Sequence, residues 1–195
     1  MDVGLKRELE RKVRAGERLT REDGIALYES DDLAWLGALA HGVRTARHGD
    51  VAYFHGAEAG GGAVLGFGGW RERAANVDAM LRLREEWDGR EQAVVLAGDR
   101  SLSGLEVLKT YAVARLLLDG VPHLKVLRET YGDRTAQLAL QHGADEVEGP
   151  AGDEVVELLQ DAGFRPVQHD GAYTVVREFD GPDPARRDQP QAMRL

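Results

Sequence analysis

Six histidines are the side chains whose chemistry must be weighed first: His41, His48, His55, His123, His142 and His169. None falls in an H-x-H or H-E-x-x-H spacing, so a zinc site would have to be assembled from distant segments. His55 and His123 sit beside predicted strands and could converge, but hydrogen-bonded structural histidines are the favoured reading, and no metal is assigned. The chain contains no cysteine. That one absence removes thiolate-ligated zinc, all-cysteine iron–sulfur clusters, disulfides and cysteine nucleophiles together. The glycine-rich stretch Gly60 to Gly69 could bring backbone N–H groups against a phosphate or carboxylate ahead of a helix starting near Glu72. It matches neither G-x-G-x-x-G nor the lysine-containing P-loop, and a flexible splice between two strands is the favoured account. Trp35, Trp70 and Trp87, with Tyr53 and Phe54, read as core or interface rather than as a stacking surface.

Composition narrows the partners. With 43% hydrophobic and 30% charged residues the chain is an ordinary globular one, and its net charge of -9 repels nucleic-acid phosphates and anionic lipid. The longest apolar runs, such as Ala112 to Leu118, are interrupted by Arg115 and fall far short of the roughly 20 residues that span a bilayer. Met1 to Glu10 mixes both signs of charge without a signal-peptide core. The expectation is a cytoplasmic protein with no nucleic-acid or membrane partner.

Residues 5 to 48 read as helices. Thr20 to Asp23 has capping-box spacing, and Ser30-Asp31-Asp32 starts a second helix whose buried stripe is Leu33, Leu36, Ala40 and Val43. From Asp50 the period changes. Val51 to Phe54 and Ala63 to Phe67 predict buried strands, a helix follows over about 72–87, and Gln92 to Leu96 predicts a third strand. Ser103 to Glu106 caps a helix that runs to about Leu118, closed by Asp119-Gly120. His123 to Leu127 predicts a strand, Asp133 caps a helix to about His142, and Ala144 to Val147 is a short strand. A helix over 153–162 and a β-like run over 173–178 complete the series. Strands alternating with helices imply parallel pairing through right-handed crossovers. A closed eight-stranded α/β barrel takes about 250 residues, roughly 31 per unit, and the segment between the helical start and the proline-bearing end holds only about four such units.

Gly16 to Tyr28 followed by Asp31-Asp-Leu33, the block Leu105 to Lys125 with Leu108-Lys-Thr-Tyr-Ala-Val-Ala-Arg-Leu-Leu-Leu-Asp119 and Pro122-His123, and the pieces Ala136 to Leu140, Gly143-Ala-Asp145 and Tyr173 to Phe179 carry a resemblance. They are similar to the radical SAM enzymes of the futalosine route to menaquinone, chiefly the aminofutalosine synthases. That family places a Cys-x3-Cys-x2-Cys loop after its first strand, where a 4Fe-4S cluster binds and cleaves S-adenosylmethionine. Here Phe54-His55-Gly56 passes almost directly to Gly60-Gly-Gly-Ala-Val-Leu-Gly-Phe67, which resembles a strand from well past the barrel's midpoint. The cluster loop and several strands are missing. The family's Gly-Gly-Thr or Asp-Gly-Thr turn reads Glu148-Gly149-Pro150 here, and its Asn in Leu-Asp-Asn is Gly120. Without three thiolates no radical initiator of this type can be held.

The expected fold is therefore α/β: an N-terminal helical segment over 1–49, a truncated, partial TIM-barrel-like parallel sheet over 50–179, and a tail over 180–195. In such a barrel the working residues lie at the C-terminal ends of strands. The rule selects His55, Glu58, Gly68, Asp99, Arg128, Glu129 and Glu148 as ligand-binding candidates, although charged strand ends are often simply solvated. No catalytic residue and no cofactor is assigned. An open half-barrel would expose two strand edges and an apolar interior face, which leads to the expectation of a homodimer. The function expected is that of a catalytically degenerate relative, acting as a binding or interaction protein linked to menaquinone biosynthesis, with a small metabolite or a complete homologue as partner. The alternative is an enzyme performing non-radical chemistry on a nucleoside or aromatic acid of that route through the polar rim.

Overall fold

A computed structural model of the 195-residue chain describes residues 1–56, 61–149 and 152–182. The expected tail over 180–195 lies mostly outside them, as does Glu58. Three helices come first: α1 (Val3–Arg14), α2 (Arg21–Tyr28) and α3 (Leu33–His48). Thr20 caps α2 with the reciprocal pair its spacing announces, its hydroxyl accepting from the Asp23 N–H while Asp23 accepts from the Thr20 N–H. Asp32 caps α3 by accepting from the Trp35 N–H.

Strands and helices then alternate: β1 (Val51–His55), β2 (Ala63–Phe67), a 3-10 turn (Trp70–Glu72), α4 (Arg73–Glu86), β3 (Ala93–Gly98), α5 (Gly104–Leu117), β4 (His123–Leu127), α6 (Arg128–Tyr131), α7 (Asp133–Leu140), β5 (Glu146–Glu148), α8 (Asp153–Asp161), β6 (Arg165–His169) and β7 (Val175–Glu178). The strands form one sheet in the order β2-β3-β4-β5-β1-β6-β7. All pairings are parallel except the last, β6 with β7. Among the described residues the sheet is not closed, so the architecture is a partial barrel.

Two strands depart from the sequence reading. β6 was not expected, because Arg165-Pro166-Val167-Gln168-His169 carries a proline and three polar residues. It pairs with β1 along its whole length, from Val51 opposite Arg165 to His55 opposite His169. Pro166 is tolerated because its carbonyl still accepts from the Phe179 N–H at 3.1 Å, while its missing N–H costs only one ladder bond. β7 is antiparallel and begins at Val175, which leaves Tyr173 in the preceding turn.

The helix α5 explains how the layers meet. It is apolar almost all round, and every residue from Val107 to Leu117 is buried, between the sheet on one side and α2 and α3 on the other. Its few polar groups are paired: Lys109 Nζ donates to the Tyr28 carbonyl at 3.1 Å, the Thr110 hydroxyl to the Glu106 carbonyl at 2.8 Å, and Arg115 reaches the sheet's lower edge. Leu9, Leu27 and Leu36 of the N-terminal helices, with Leu19 of the connection between α1 and α2, join the same core as Val94, Leu96, Leu124 and Val126 of the strands.

Candidate functional site

Cross-strand register fixes which side chains share the sheet's inner face, the one turned away from α5. Val64, Val95, Lys125, Glu146, Tyr53 and Val167 form one row across β2, β3, β4, β5, β1 and β6. Two residues on, His55 and His169 are paired, and two residues back lies His123. An apolar interior was expected; the observed one is built from imidazoles, two carboxylates, an ammonium and phenols. The reason is visible in the strands themselves, where His123-x-Lys125 and Tyr53-x-His55 alternate polar with apolar, the apolar set Leu124, Val126, Ala52 and Phe54 going to the core.

Glu146 is the centre of the upper half. It is fully buried, and its Oε1 lies 3.1 Å from His169 Nε2, 3.1 Å from Lys125 Nζ and 3.5 Å from His55 Nε2. Its Oε2 accepts from the Tyr173 hydroxyl. The Gly171 N–H donates to His169 Nδ1, which makes Nε2 the protonated nitrogen that donates to Glu146. Burial works to raise the Glu146 carboxyl, but the His169 hydrogen bond, the Lys125 charge and the Tyr173 hydroxyl outweigh it and hold it below the usual range. Burial and the adjacent carboxylate push the Tyr173 phenol far up, so it remains a neutral donor. Two groups here stay unsatisfied: Lys125 Nζ, close to Glu146 but without hydrogen-bond alignment, and His55 Nε2.

Asp145 is the centre of the lower half. Its Oδ1 accepts from Arg115 and from the Leu124 N–H at 2.9 Å, and its Oδ2 accepts from His123 Nδ1 at 2.6 Å, with His48 Nε2 at 3.7 Å. Burial opposes its charge, yet Arg115, His123 and His48 together hold it well below the ordinary carboxylate range. Arg115 is fixed by the Gly143 and Pro122 carbonyls at 2.7 and 3.2 Å. Gly143 has φ +110, and a Cβ there would lie 2.6 Å from Arg115 Cβ, so both its conformation and the approach of the arginine require glycine. Arg44 supports the same corner through the Gly49 carbonyl at 2.7 Å and the Val51 carbonyl.

His48, His123 and Asp145 place one ligand atom each within 4.8 Å of one another. A cation there would compete with Arg115, wholly buried and paired to the same carboxylate, while His48 Nε2 already donates to the Pro122 carbonyl at 3.0 Å. The three residues therefore belong to a hydrogen-bonded polar corner built around the Arg115–Asp145 ion pair. An iron–sulfur cluster does not fit either: the donor set at the end of β1 contains no sulfur, and neither does the rest of the chain outside three methionines.

Among the described residues the rim candidates sit at or just beyond strand ends, and Gly68, Asp99 and Arg128 are engaged locally. His55 alone among them enters the Glu146 network, and its Nδ1 bonds the Gly56 carbonyl at 2.7 Å. The Gly68 N–H donates to Asn76 Oδ1 and its carbonyl accepts from Asn76 Nδ2, both at 2.9 Å, so that amide is spent within the chain. Asp99 accepts from the Ser101 N–H at 2.7 Å, Arg128 pairs with Asp133 and Glu154, Glu129 is on α6, and Glu148 ends β5 beside Leu127. Lys125, Asp145 and Glu146 were missed because the strand-end rule looks above them, and His169 and Tyr173 because β6, whose C-terminal end carries His169 and leads into the turn bearing Tyr173, was not expected. A groove of about 460 Å³ between α1 and α3 is lined mainly by apolar side chains such as Val13, Trp35 and Leu39, none of which belongs to this cluster.

No family model matches the chain. Aminodeoxyfutalosine synthase of Streptomyces coelicolor is 29% identical over 387 residues, an alignment that takes in all of both chains. Because that span is about twice the 195 residues here, the two share their flanks while an internal portion of the relative has no counterpart. The aminodeoxyfutalosine synthase of Thermus thermophilus is 30% identical over 140 residues, 56% of this chain and 38% of the relative. Cyclic dehypoxanthine futalosine synthase of Halalkalibacterium halodurans is 23% identical over 180 residues, 79% of this chain and 46% of the relative. The chain thus spans less than half of these two. The fold is similar to that of HydG, a maturase of the [FeFe]-hydrogenase, with a TM-score of 0.62 at 8% identity, covering 86% of this chain and 76% of that one.

Proposed function

We propose that this chain, an aminodeoxyfutalosine synthase-like polypeptide with no cysteine and a shortened barrel, is a catalytically degenerate relative that binds a small polar metabolite linked to menaquinone biosynthesis. The observation that carries the reading is the buried set on the inner face, Glu146 and Asp145 with three histidines and Lys125. Buried ion clusters rarely stabilise a fold better than well-packed apolar side chains of the same volume. Convergent polar groups on one face are instead what a ligand site requires. His55 Nε2 and Lys125 Nζ supply unused hydrogen-bonding capacity on that face.

Thermal-shift titration with futalosine-like nucleosides, chorismate-derived enolpyruvyl acids and S-adenosylmethionine tests this. A ligand at about 100 times its Kd stabilises the protein by about 2.7 kcal/mol, and Lys125→Met should erase the shift. No shift with any of the three classes would remove the proposal. A second reading, non-radical acid–base chemistry, is favoured by the His123–Asp145 pair at 2.6 Å, an imidazole oriented by a buried carboxylate. It requires ligand turnover that His123→Gln abolishes while binding persists.

Self-association belongs to the same proposal. Among the described residues the outer edge of β2 has no partner strand, and Val64 on it is exposed. A homodimer closing that edge should appear by sedimentation at micromolar concentration, and Val64→Lys should return it to the monomer. A concentration-independent monomer rules it out. Among the described residues no helix is long and apolar enough to cross a membrane.

A further inference from the structure

We infer that the space filled by the Tyr173 ring is a ligand slot that the chain closes with its own side chain, and that it accepts a planar aromatic ring carrying a neutral hydroxyl or N–H donor. The inference rests on the binding role proposed above and specifies where the ligand sits and what selects it.

The slot has two flat walls and one polar end. The Tyr173 ring lies parallel between His123, with centroids 3.8 Å apart and planes at 11°, and His169, at 4.2 Å and 9°. Tyr53 closes one side edge-on at 6.2 Å. The walls are anchored independently of Tyr173, His123 through Asp145 and His169 through Glu146 Oε1. At the end of the slot Glu146 Oε2 accepts the phenol proton. Flatness is selected by the paired imidazoles. A donor is selected by Glu146, because an anionic ring would be driven off by two buried carboxylates. Beyond the hydroxyl, Lys125 Nζ and His55 Nε2, which make no aligned hydrogen bond, flank the same carboxylate, so a ligand larger than the tyrosine ring has further groups to meet.

The backbone marks Tyr173 as the removable part. Among the described residues it is the one non-glycine with positive φ, at 63°. A bulky side chain pays for the left-handed region with conformational strain, and such strain gathers at ligand clamps. The turn that carries it, Asp170 to Thr174, is held by Asp170 Oδ1 accepting from the Ala172 and Thr174 N–H groups at 2.9 and 3.1 Å, and it lies largely exposed. The ring is therefore delivered into the slot by a surface turn rather than by a core element. Its withdrawal opens the site without disturbing the sheet.

The experiment uses the full chain and phenol as probe. Tyr173→Gly relieves the strained φ and empties the slot, and its melting temperature should rise by several degrees in millimolar phenol, more than in anisole, which lacks the donor, or cyclohexanol, which is not flat. In the unmodified chain the Tyr173 ring resonances, shifted upfield by two stacked imidazoles, should move to ordinary positions as phenol is added. Equal stabilisation of Tyr173→Gly by cyclohexanol and phenol overturns the inference. If that variant does not fold, Tyr173 resonances unmoved by tens of millimolar phenol overturn it instead. A metabolite that binds while those resonances stay fixed would defeat the slot and leave the binding role standing; a slot that takes phenol in a protein that no metabolite of the three classes stabilises would do the reverse.

Discussion

Asp145→Asn should lower the unfolding free energy by about 3–5 kcal/mol, the cost of leaving a buried cation without its anion. The side chain is wholly buried and is the counter-charge for Arg115, itself wholly buried. It also accepts from the Leu124 N–H and His123 Nδ1. An amide keeps the volume and one acceptor but no charge. Two neighbouring carbonyls remain to Arg115, and neither is an ion. For a chain of this size the melting temperature should fall by roughly 10 °C. The double variant Arg115→Met with Asp145→Leu should recover most of the loss, because a well-packed apolar pair stands in for a buried ion pair at little cost. A loss below about 1 kcal/mol for Asp145→Asn would mean that the corner is not a single charged unit.

Acid should weaken the fold in two separable windows. The His48 imidazole is held down to about 4 from an ordinary 6.5, first by burial, which the attraction of Asp145 does not cancel. The unfolded chain therefore takes up a proton near pH 6.5 that the folded chain refuses, so stability declines as pH falls from 6.5 toward 4 and this contribution levels off below. At about 1.4 kcal/mol per unit the decline amounts to about 3 kcal/mol. His41 and His142 are lowered by burial too and add in the same direction. The second window belongs to Asp145 and Glu146, whose depressed carboxyls contribute stability that is present above the ordinary carboxylate range and lost as pH drops through their folded values. Urea unfolding at intervals from pH 7.5 to 3 should show both. His48→Gln should flatten most of the first and leave the second, and an unchanged slope between pH 6.5 and 4.5 in that variant would refute the assignment.

Helices and strands were legible where one period dominates. Leu33, Leu36, Ala40 and Val43 announce α3, and the glycine-framed run Ala63 to Phe67 announces β2 with the bounds observed. β6 was illegible, because Pro166 and Gln168 argue for a loop, and only its pairing with β1 and β7 makes it a strand. α6 was missed for a related reason: four residues are too few for a period to show. The site was half legible. His55 follows from the strand-end rule, and Asp145 and His123 stand within the segments that carry the family resemblance. Register was not available, however, and without it nothing says that Lys125 of β4 and Tyr53 of β1 flank Glu146 of β5. Two-residue alternation in His123 to Leu127 was the usable signal, since a strand buried on both faces would be continuously apolar.

The position of β1 in the sheet has a consequence for how the polypeptide is assembled on the ribosome. It is the earliest strand to be synthesised, yet both of its hydrogen-bonded neighbours, β5 and β6, come from the part of the chain beyond residue 145. Until some 90 further residues have emerged, as the spacing between Tyr53 and Glu146 requires, its backbone groups have no partner strand, and β6 follows only later. Loop closure over so long a stretch makes acquisition of the native sheet slow, and the nascent chain carries an open β template through most of translation.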